Sequence, residues 1–592
     1  MEEKTIKFDL SADTLLDMAD ARIDDGNYLS ALRLLHKSLD LYGPAADEYA
    51  SLADAYDEME LYEESADCWF RFLDICEEDE LVDAYEGLAA CFYNLGNEPA
   101  ANYYYKYYKK MLSDKYLSPS NNIEMGELFE KHPRTALRVA WPPESADYSE
   151  EIDAGLKALR RGDFEEAENR FASVHPQSEY GAAAMNYLTV TYLLAGEPEK
   201  AEKVCLKLLE KEPENVQALS TYAAVLTELD RPQDARAVAE KLAKLPAESA
   251  DELYKIATVC CENKLYDEAY EKFCRLETMV GYDKTLLFFK AVAALRSGRV
   301  QESLASYGKI LDIYPAAAVT RYYYRAVRTY AEEGGAVPET SFFYRIPREE
   351  KEARVNFLAA LAKMKTSDLR AYCRESDLSE LFEWCFDEGD GQDGDLQILG
   401  ATVAARCGYN NFVCGLLLGG RVADGVKLET LRAVCMQNRE FSCGIVLGNV
   451  YRSVDFARLN VGRKKHRLFL EAYASCFARF AVTGGQDGEA YRRAAEGLYT
   501  TLEARGLLSE VSDAGSVACA ICMAVLGTDA KGTKRLLKAL GADARLVARI
   551  LSALRDAAAE AEAAAADGTE DKGEAEKEEA KPETEDKDDE TH

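Results

Sequence analysis

The sequence is short of histidine, of cations relative to acids, and of any long apolar run, and each shortage removes a class of function. Only five histidines occur in 592 residues, the last of them terminal, so imidazole catalysis or metal binding has few candidates. Lysine and arginine number 71 against 106 acids, and the net charge of −35 repels phosphate backbones, so general nucleic-acid affinity is disfavoured. No stretch approaches the roughly 20 apolar residues that span a bilayer. The start, "MEEKTIKFDLSADTL", has no apolar signal core, so a cytoplasmic location is expected. Sixteen cysteines are scattered rather than set at framework spacings, which fits buried free thiols in a reducing compartment. β-type alternation is rare.

What is present is helical periodicity broken by short Gly- or Asn-containing turns. A length of 592 residues is too great for one core, so several domains or a repeat array are expected. Three stretches align with one another: "LADAYDEMELYEESADCWFRFLDI", "LAACFYNLGNEPAANYYYKYYKKM" and "LTVTYLLAGEPEKAEKVCLKLLEKEP". Each has a leucine, a small residue, an aromatic one turn later, a turn, another small residue and a large apolar one four positions on. Small first-helix positions fall at Ala19, Ala53, Ala89, Gly155, Thr189, Ala223, Ala257 and Ala291. Small second-helix positions fall at Ala31, Ser65, Ala101, Ala167, Ala201, Ala235, Ala269 and Ser303. The large partners are Leu35, Trp69, Tyr105, Phe171, Cys205, Ala239, Phe273 and Tyr307. From Gly155 to Ala291 the small position recurs every 34 residues without interruption.

This pattern resembles the tetratricopeptide repeat, a pair of antiparallel helices in about 34 residues. Turn glycines at Gly26, Gly96, Gly162, Gly196 and Gly298 and closing prolines at Pro213 and Pro315 extend the resemblance over roughly residues 12–111 and 148–315. Thr189, Ala239 and Pro232 depart from it. The implied fold class is all-α: an α-solenoid of such hairpins, followed by an irregular helical C-terminal region and a disordered acidic tail. The tail, "DGTEDKGEAEKEEAKPETEDKDDETH", lacks aromatics and large aliphatics and cannot offset its ordering entropy.

The expected organisation is a first repeat block over 1–111, a Pro-containing linker over 112–147, a second block over 148–335, a linker over 336–350, a helical domain over 351–555 and the tail over 556–592. Within "NYYYKYYKKM", tyrosines among lysines could be a base-stacking platform. Tyr105 and Tyr108 follow Ala101 at helical spacing, however, so packing is favoured, with Tyr103 and Tyr107 more exposed; "RYYYRAVRTY" is read the same way. "LGATVAARCGYNNFVCGLLLGGRVAD" reads as a helical hairpin, and "LRAVCMQNREFSCGIVLGN" as its degenerate echo.

Repeat solenoids bind through the face lined by their first helices. In the first block that face carries Asp13, Asp20, Asp24, Asp47, Asp54, Asp57, Asp83 and Glu86. Asp13, Asp20, Asp47 and Asp54 stand seven residues apart within helices and 34 apart between them, so they are expected to form a ladder. Like charges held close destabilise a fold, and a basic partner would relieve them. Many tetratricopeptide domains, chaperone adaptors among them, carry a Lys/Asn/Arg clamp for peptide C-terminal carboxylates; these faces lack it. The second block offers Asn186, Tyr254 and Phe288 among neutral and apolar neighbours, which suits an extended, partly apolar peptide.

Three lookalikes are dismissed. "GTDAKGTKR" has Thr and Lys in the wrong order for a phosphate loop, and no strand precedes it. "DEGDGQDGD" lacks the alternating ligands and closing glutamate of a calcium loop. Cys519 and Cys522 have redox spacing but sit among alanines and valines, with no second pair for zinc. "GRKKHR" at 462–467 is the densest basic cluster; pairing with the acidic tail is its sharper reading. The expectation is therefore a non-enzymatic scaffold or adaptor without cofactor, binding protein or peptide partners, one of them basic, and no membrane. The alternatives are a nucleic-acid-associated regulator using 462–467, or an enzyme with a site in 351–555.

Overall fold

A computed structural model describes residues 10–115 and 147–575, apart from 79, 248, 388–393, 438–439, 485–487 and 528–529. Most of the expected 112–147 linker and the last part of the tail thus lie outside the described residues. The chain divides into two compact units, one of residues 1–357 with 377–393, the other of 358–376 with 394–592.

The first unit is an all-α solenoid of hairpins. The first block holds α1 (Ala12–Asp24) with α2 (Tyr28–Tyr42), α3 (Ala46–Glu58) with α4 (Tyr62–Ile75), and α5 (Leu81–Asn94) with α6 (Glu98–Lys115). The second holds α7 (Ser149–Arg160) with α8 (Phe164–Ala172), α9 (Gly181–Leu194) with α10 (Pro198–Lys211), and α11 (Val216–Glu228) with α12 (Pro232–Leu242). It continues with α13 (Ala250–Glu262) and α14 (Tyr266–Val280), α15 (Lys284–Arg296) and α16 (Val300–Ile313), and a closing α17 (Ala318–Glu333).

Each hairpin is held by the seam the sequence marks. Ala19, Ala31, Leu35, Ala257, Ala269 and Phe273 are all 0% exposed, and the other seam positions are buried with them. The small member exists to admit the large one. A Cβ placed on Gly155 would lie 2.5 Å from the Phe171 ring, inside contact distance. Thr189 is tolerated because its hydroxyl donates to the Met185 carbonyl at 2.9 Å, so no polar atom is stranded. Pro232 occupies the first turn of α12, where a missing N–H costs nothing.

The turn inside each hairpin needs one residue in the left-handed region. Five of the eight are glycines, Gly26, Gly96, Gly162, Gly196 and Gly298, with φ between 70° and 83°. Glu60, Asp230 and Lys264 take the same conformation at the equivalent sites, with φ of 56° to 60°. The backbone there closes as a helix-ending motif: the Leu61 N–H donates to the Tyr56 carbonyl at 2.9 Å, as Asn27 does to Arg22 at 2.7 Å.

The two blocks meet out of chain order. Helix α2 of the first repeat packs against α16 of the last. The Tyr56 hydroxyl donates to the Ile313 carbonyl at 2.8 Å, and Arg33 pairs with Asp312 at 2.5 Å. Since Tyr56 spends its proton on Ile313, the His36 Nε2 at 3.3 Å must be the donor to the Tyr56 oxygen. Burial, with Arg71 nearby, holds His36 down at about 4.

Beyond α17 come α18 (Arg348–Lys363), α19 (Thr366–Glu375), α20 (Ser379–Asp387), α21 (Gly394–Cys407), α22 (Asn410–Leu418) and α23 (Asp424–Gln437). An antiparallel hairpin follows, β1 (Phe441–Leu447) paired to β2 (Val450–Phe456). The unit ends with α24 (His466–Cys476), a π turn over Phe477–Ala481, α25 (Gly488–Ala504), α26 (Ala514–Leu526), α27 (Ala530–Leu540) and α28 (Ala544–Ala575). Helix α26 is its hub: Val517, Ala520 and Ile521 are buried where α24, α25, α27 and α28 meet it.

One expectation is corrected here. The hairpin 441–456 replaces the second half of the supposed helical echo; Gly448 and Asn449, with φ of 56° and 63°, form its two-residue turn. Helix α28 itself runs to Ala575. Residues 340–346, inside the stretch expected as a linker, pack on the second block as described below.

Candidate interaction faces

In the first block the acidic side chains gather on one face. Asp13, Asp20, Asp24, Asp47, Asp54, Asp83 and Glu86 are exposed and Asp57 is half-buried. Asp20, Asp54, Asp57 and Asp83 are neighbours: partial desolvation first, then Asp57, Asp20, Glu58 and Asp83, push the Asp54 carboxyl above its ordinary range. Desolvation and Glu58 do the same to Asp57. The Ser51 hydroxyl crosses from the second hairpin to donate to Asp20 at 2.8 Å. Glu86 accepts from Tyr108, whose phenol burial and Glu86 together push up to about 12. Among the described residues, no lysine or arginine forms an ion pair with any of the eight acids.

The tyrosine stretch beside them is core. Tyr104, Tyr105 and Tyr108 are 1%, 9% and 5% exposed, and Tyr104 stacks on Phe92 with centroids 5.8 Å apart. Tyr107 is exposed and Tyr103 half-buried. Helical spacing gave Tyr105 and Tyr108 their place but missed Tyr104, the most buried of the five.

The second block differs along its length. Tyr254 is exposed. Asn186 is 5% exposed, and its Oδ1 has no hydrogen-bond partner. Phe288, expected to face a partner, is instead fully buried, because the chain's own residues 340–346 lie over it. Tyr344 meets the Phe288 ring edge-on at 5.0 Å, and Phe342 sits 6.0 Å from Phe289 and 6.2 Å from Tyr266.

Polar groups pin this segment. Arg296 donates to the Thr340 hydroxyl at 3.0 Å and its carbonyl at 2.7 Å, and the Tyr323 hydroxyl donates to the Arg345 carbonyl at 2.9 Å. The Tyr344 hydroxyl donates to Asp387 at 2.9 Å. Asp387 also accepts from the Val319 N–H at 2.9 Å, at the start of α17, and from Lys284 at 3.1 Å. Lys284 in turn lies 4.6 Å from the centroid of the Tyr344 ring. Every charge in this cluster has its partner.

In the second unit, Arg463, Lys465, His466 and Arg467 line a depression of about 450 Å³ with Glu471 and Asp513. The described tail acids pair elsewhere: Glu560 lies 2.8 Å and Asp556 4.0 Å from Arg505. A larger cavity of about 980 Å³ lies between the β hairpin and the π turn, walled by Phe456, Tyr473 and Phe477 with Arg452, Asp455 and Glu489 at its edges. Lys427, unremarked in the sequence, is 1% exposed and donates to the Val446 carbonyl at 2.6 Å. The Cys519 and Cys522 side chains are buried in α26, as core packing requires.

The seam of small and large residues, its 34-residue step and the left-handed turn closing each hairpin build an α-solenoid of tetratricopeptide-type hairpins. No family model matches the chain, and no curated protein matches it. Among solved structures it is similar to YrrB, "a TPR protein with an unusual peptide-binding site", at 16% identity over 30% of this chain and 92% of that one, with a TM-score of 0.24. It is also similar to yeast Tom70, at 13% identity over 84% and 98% with a TM-score of 0.27, and to human IFIT1, at 12% over 72% and 94% with 0.24. Among the described residues no helix is long and apolar enough to cross a membrane.

Proposed function

We propose that the chain is a cytoplasmic, non-enzymatic scaffold whose first repeat block holds a basic protein segment along the Asp20–Asp54–Asp83 face. The observation that carries this is the acidic face itself: desolvation, together with neighbouring carboxylates, raises Asp54 and Asp57, and no cation of the described chain forms an ion pair with them. A lysine- or arginine-rich segment lowers that repulsion on binding and is steered toward it from solution. Asp13, Asp24, Asp47, Asp57 and Glu86 widen the same face. The second block takes an extended peptide over its open part, with Tyr254 as an apolar contact; the buried, unpartnered Asn186 oxygen accepts a backbone N–H only if the side chain turns outward on binding. Phe288 is not part of that surface while Tyr344 covers it.

The test is fluorescence anisotropy with a labelled arginine-rich peptide, the wild-type chain beside Asp20/Asp54/Asp57→Lys, and circular dichroism to show that both fold. The variant is expected to bind at least about tenfold more weakly at low salt, a loss near 1.4 kcal/mol. Equal affinity for the two proteins sinks the proposal. Binding of a labelled single-stranded RNA that is lost on neutralising Arg463, Lys464 and Lys465 favours the regulatory alternative instead.

A further inference from the structure

Of the sixteen cysteines, two stand apart by combining closeness with access. Cys373, in the last turn of α19, and Cys407, the last residue of α21, hold their sulfurs 3.0 Å apart, and both are half-buried. That gap is about 1 Å more than a covalent S–S bond of roughly 2.05 Å. The helices packed here are fixed by bonds on either side of the pair. The Arg370 Nε donates to the Arg406 carbonyl at 3.0 Å, and Arg406 itself donates to the Ala362 carbonyl at 2.7 Å and to that of Met364. Bond formation therefore asks for little backbone movement. Burial and the neighbouring sulfur push the Cys407 thiol up, and the same two guanidinium groups oppose that rise in part.

We propose that Cys373 and Cys407 are a reversible oxidation site, a dithiol that closes to a disulfide on meeting a small-molecule disulfide such as oxidised glutathione. Cys373, as thiolate, attacks one sulfur of the oxidant; the oxidant's S–S bond breaks and its first half leaves as a thiolate. Cys407 then loses its proton and attacks the Cys373 sulfur, expelling the second half. Two protein thiols give up two protons and two electrons, and one oxidant becomes two small thiols. The closed loop spans residues 373–407 of the chain. Cytosolic disulfides, where they occur, are typically transient and redox-sensing, so the site is compatible with a reducing compartment.

The chain carries its own control. Cys476 and Cys522 also approach closely, at 3.5 Å, but both are 0% exposed, so a dissolved oxidant cannot reach them. The experiment incubates the folded full-length chain with oxidised glutathione, blocks free thiols and maps peptides without reduction. The expected result is a Cys373–Cys407 cross-linked peptide with two hydrogens lost, reversed by excess reduced glutathione, while Cys476 and Cys522 react with the blocking reagent only after unfolding. In Cys407→Ser the expected product is a persistent glutathione adduct on Cys373. Recovery of both Cys373 and Cys407 as free thiols, or as two separate glutathione adducts in the wild type, overturns the proposal.

Discussion

Asp54 in the first block and Phe288 in the second both project from the first helix of a hairpin, off the seam, yet their surroundings are opposite. Asp54 is exposed yet partly desolvated among Asp20, Asp57 and Asp83, its charge unanswered by any described lysine or arginine. Phe288 lies beneath the chain's own Tyr344, fully shielded. The seam builds both blocks alike, so the repeat fixes architecture and leaves the exposed face free to vary. One face is left with excess charge, and the other is completed from within the chain. Sequence position relative to the seam identifies which residues face the groove, but not whether that groove is open.

The largest effect should come from uncovering the second block. Tyr344→Ala removes an aromatic ring from Phe288 and strands Asp387 and Lys284 in part, at an expected cost of about 3 kcal/mol in urea unfolding. Tyr344→Phe keeps the ring and loses only the hydroxyl's bond, so about 1 kcal/mol is expected. If both variants unfold like the wild type, residues 340–346 are an incidental cover and Phe288 returns to the list of open positions.

Where the blocks meet, pH should separate them. His36 is buried neutral, held at about 4 in the folded chain against an ordinary 6.5. A depressed folded value means that the unfolded chain binds the proton first. The contribution of His36 is thus fully present above about 6.5 and is lost as pH falls toward 4, up to about 3 kcal/mol in all. The Asp312 carboxylate and the Arg33 and Arg71 guanidinium groups face the same contact and set the rest of its charge. Urea midpoints of wild type and His36→Gln, measured from pH 7 to pH 4, should diverge in slope across that window; parallel curves would remove His36 from the account.

The sequence made the repeats legible because a small residue and its large partner must recur wherever two helices close on each other. It identified five turns through glycine; Glu60, Asp230 and Lys264 adopt the same geometry without that signal. The packed segment was harder to see, since Gly334, Gly335 and Pro338 read as a break. Its own signal is an alternation: Thr340 and Ile346 are buried and Phe342 and Tyr344 face inward with them, while Phe343 and Arg345 are exposed. The β hairpin was likewise announced by Gly448–Asn449 between an apolar run and an alternating one, a two-residue turn signal lost against the helical background. The acidic ladder was legible in position. Whether it binds is decided by charge supplied from outside the chain.

The smallest effect tests that last point most directly. Desolvation and neighbouring acids raise Asp54 and Asp57, so their ionised forms oppose folding at neutral pH, and the opposition fades as pH falls through the raised values toward the ordinary carboxylate range. Asp54→Asn should therefore stabilise the free chain by only about 0.3 kcal/mol at low salt, given solvent screening at so exposed a site, and by less at high salt. The same substitution should weaken capture of an arginine-rich peptide. Stability and affinity moving in opposite directions is what a binding face maintained against its own repulsion requires. If both fall, Asp54 is structural, and if affinity does not move, the ladder is a solvated face of an acidic protein.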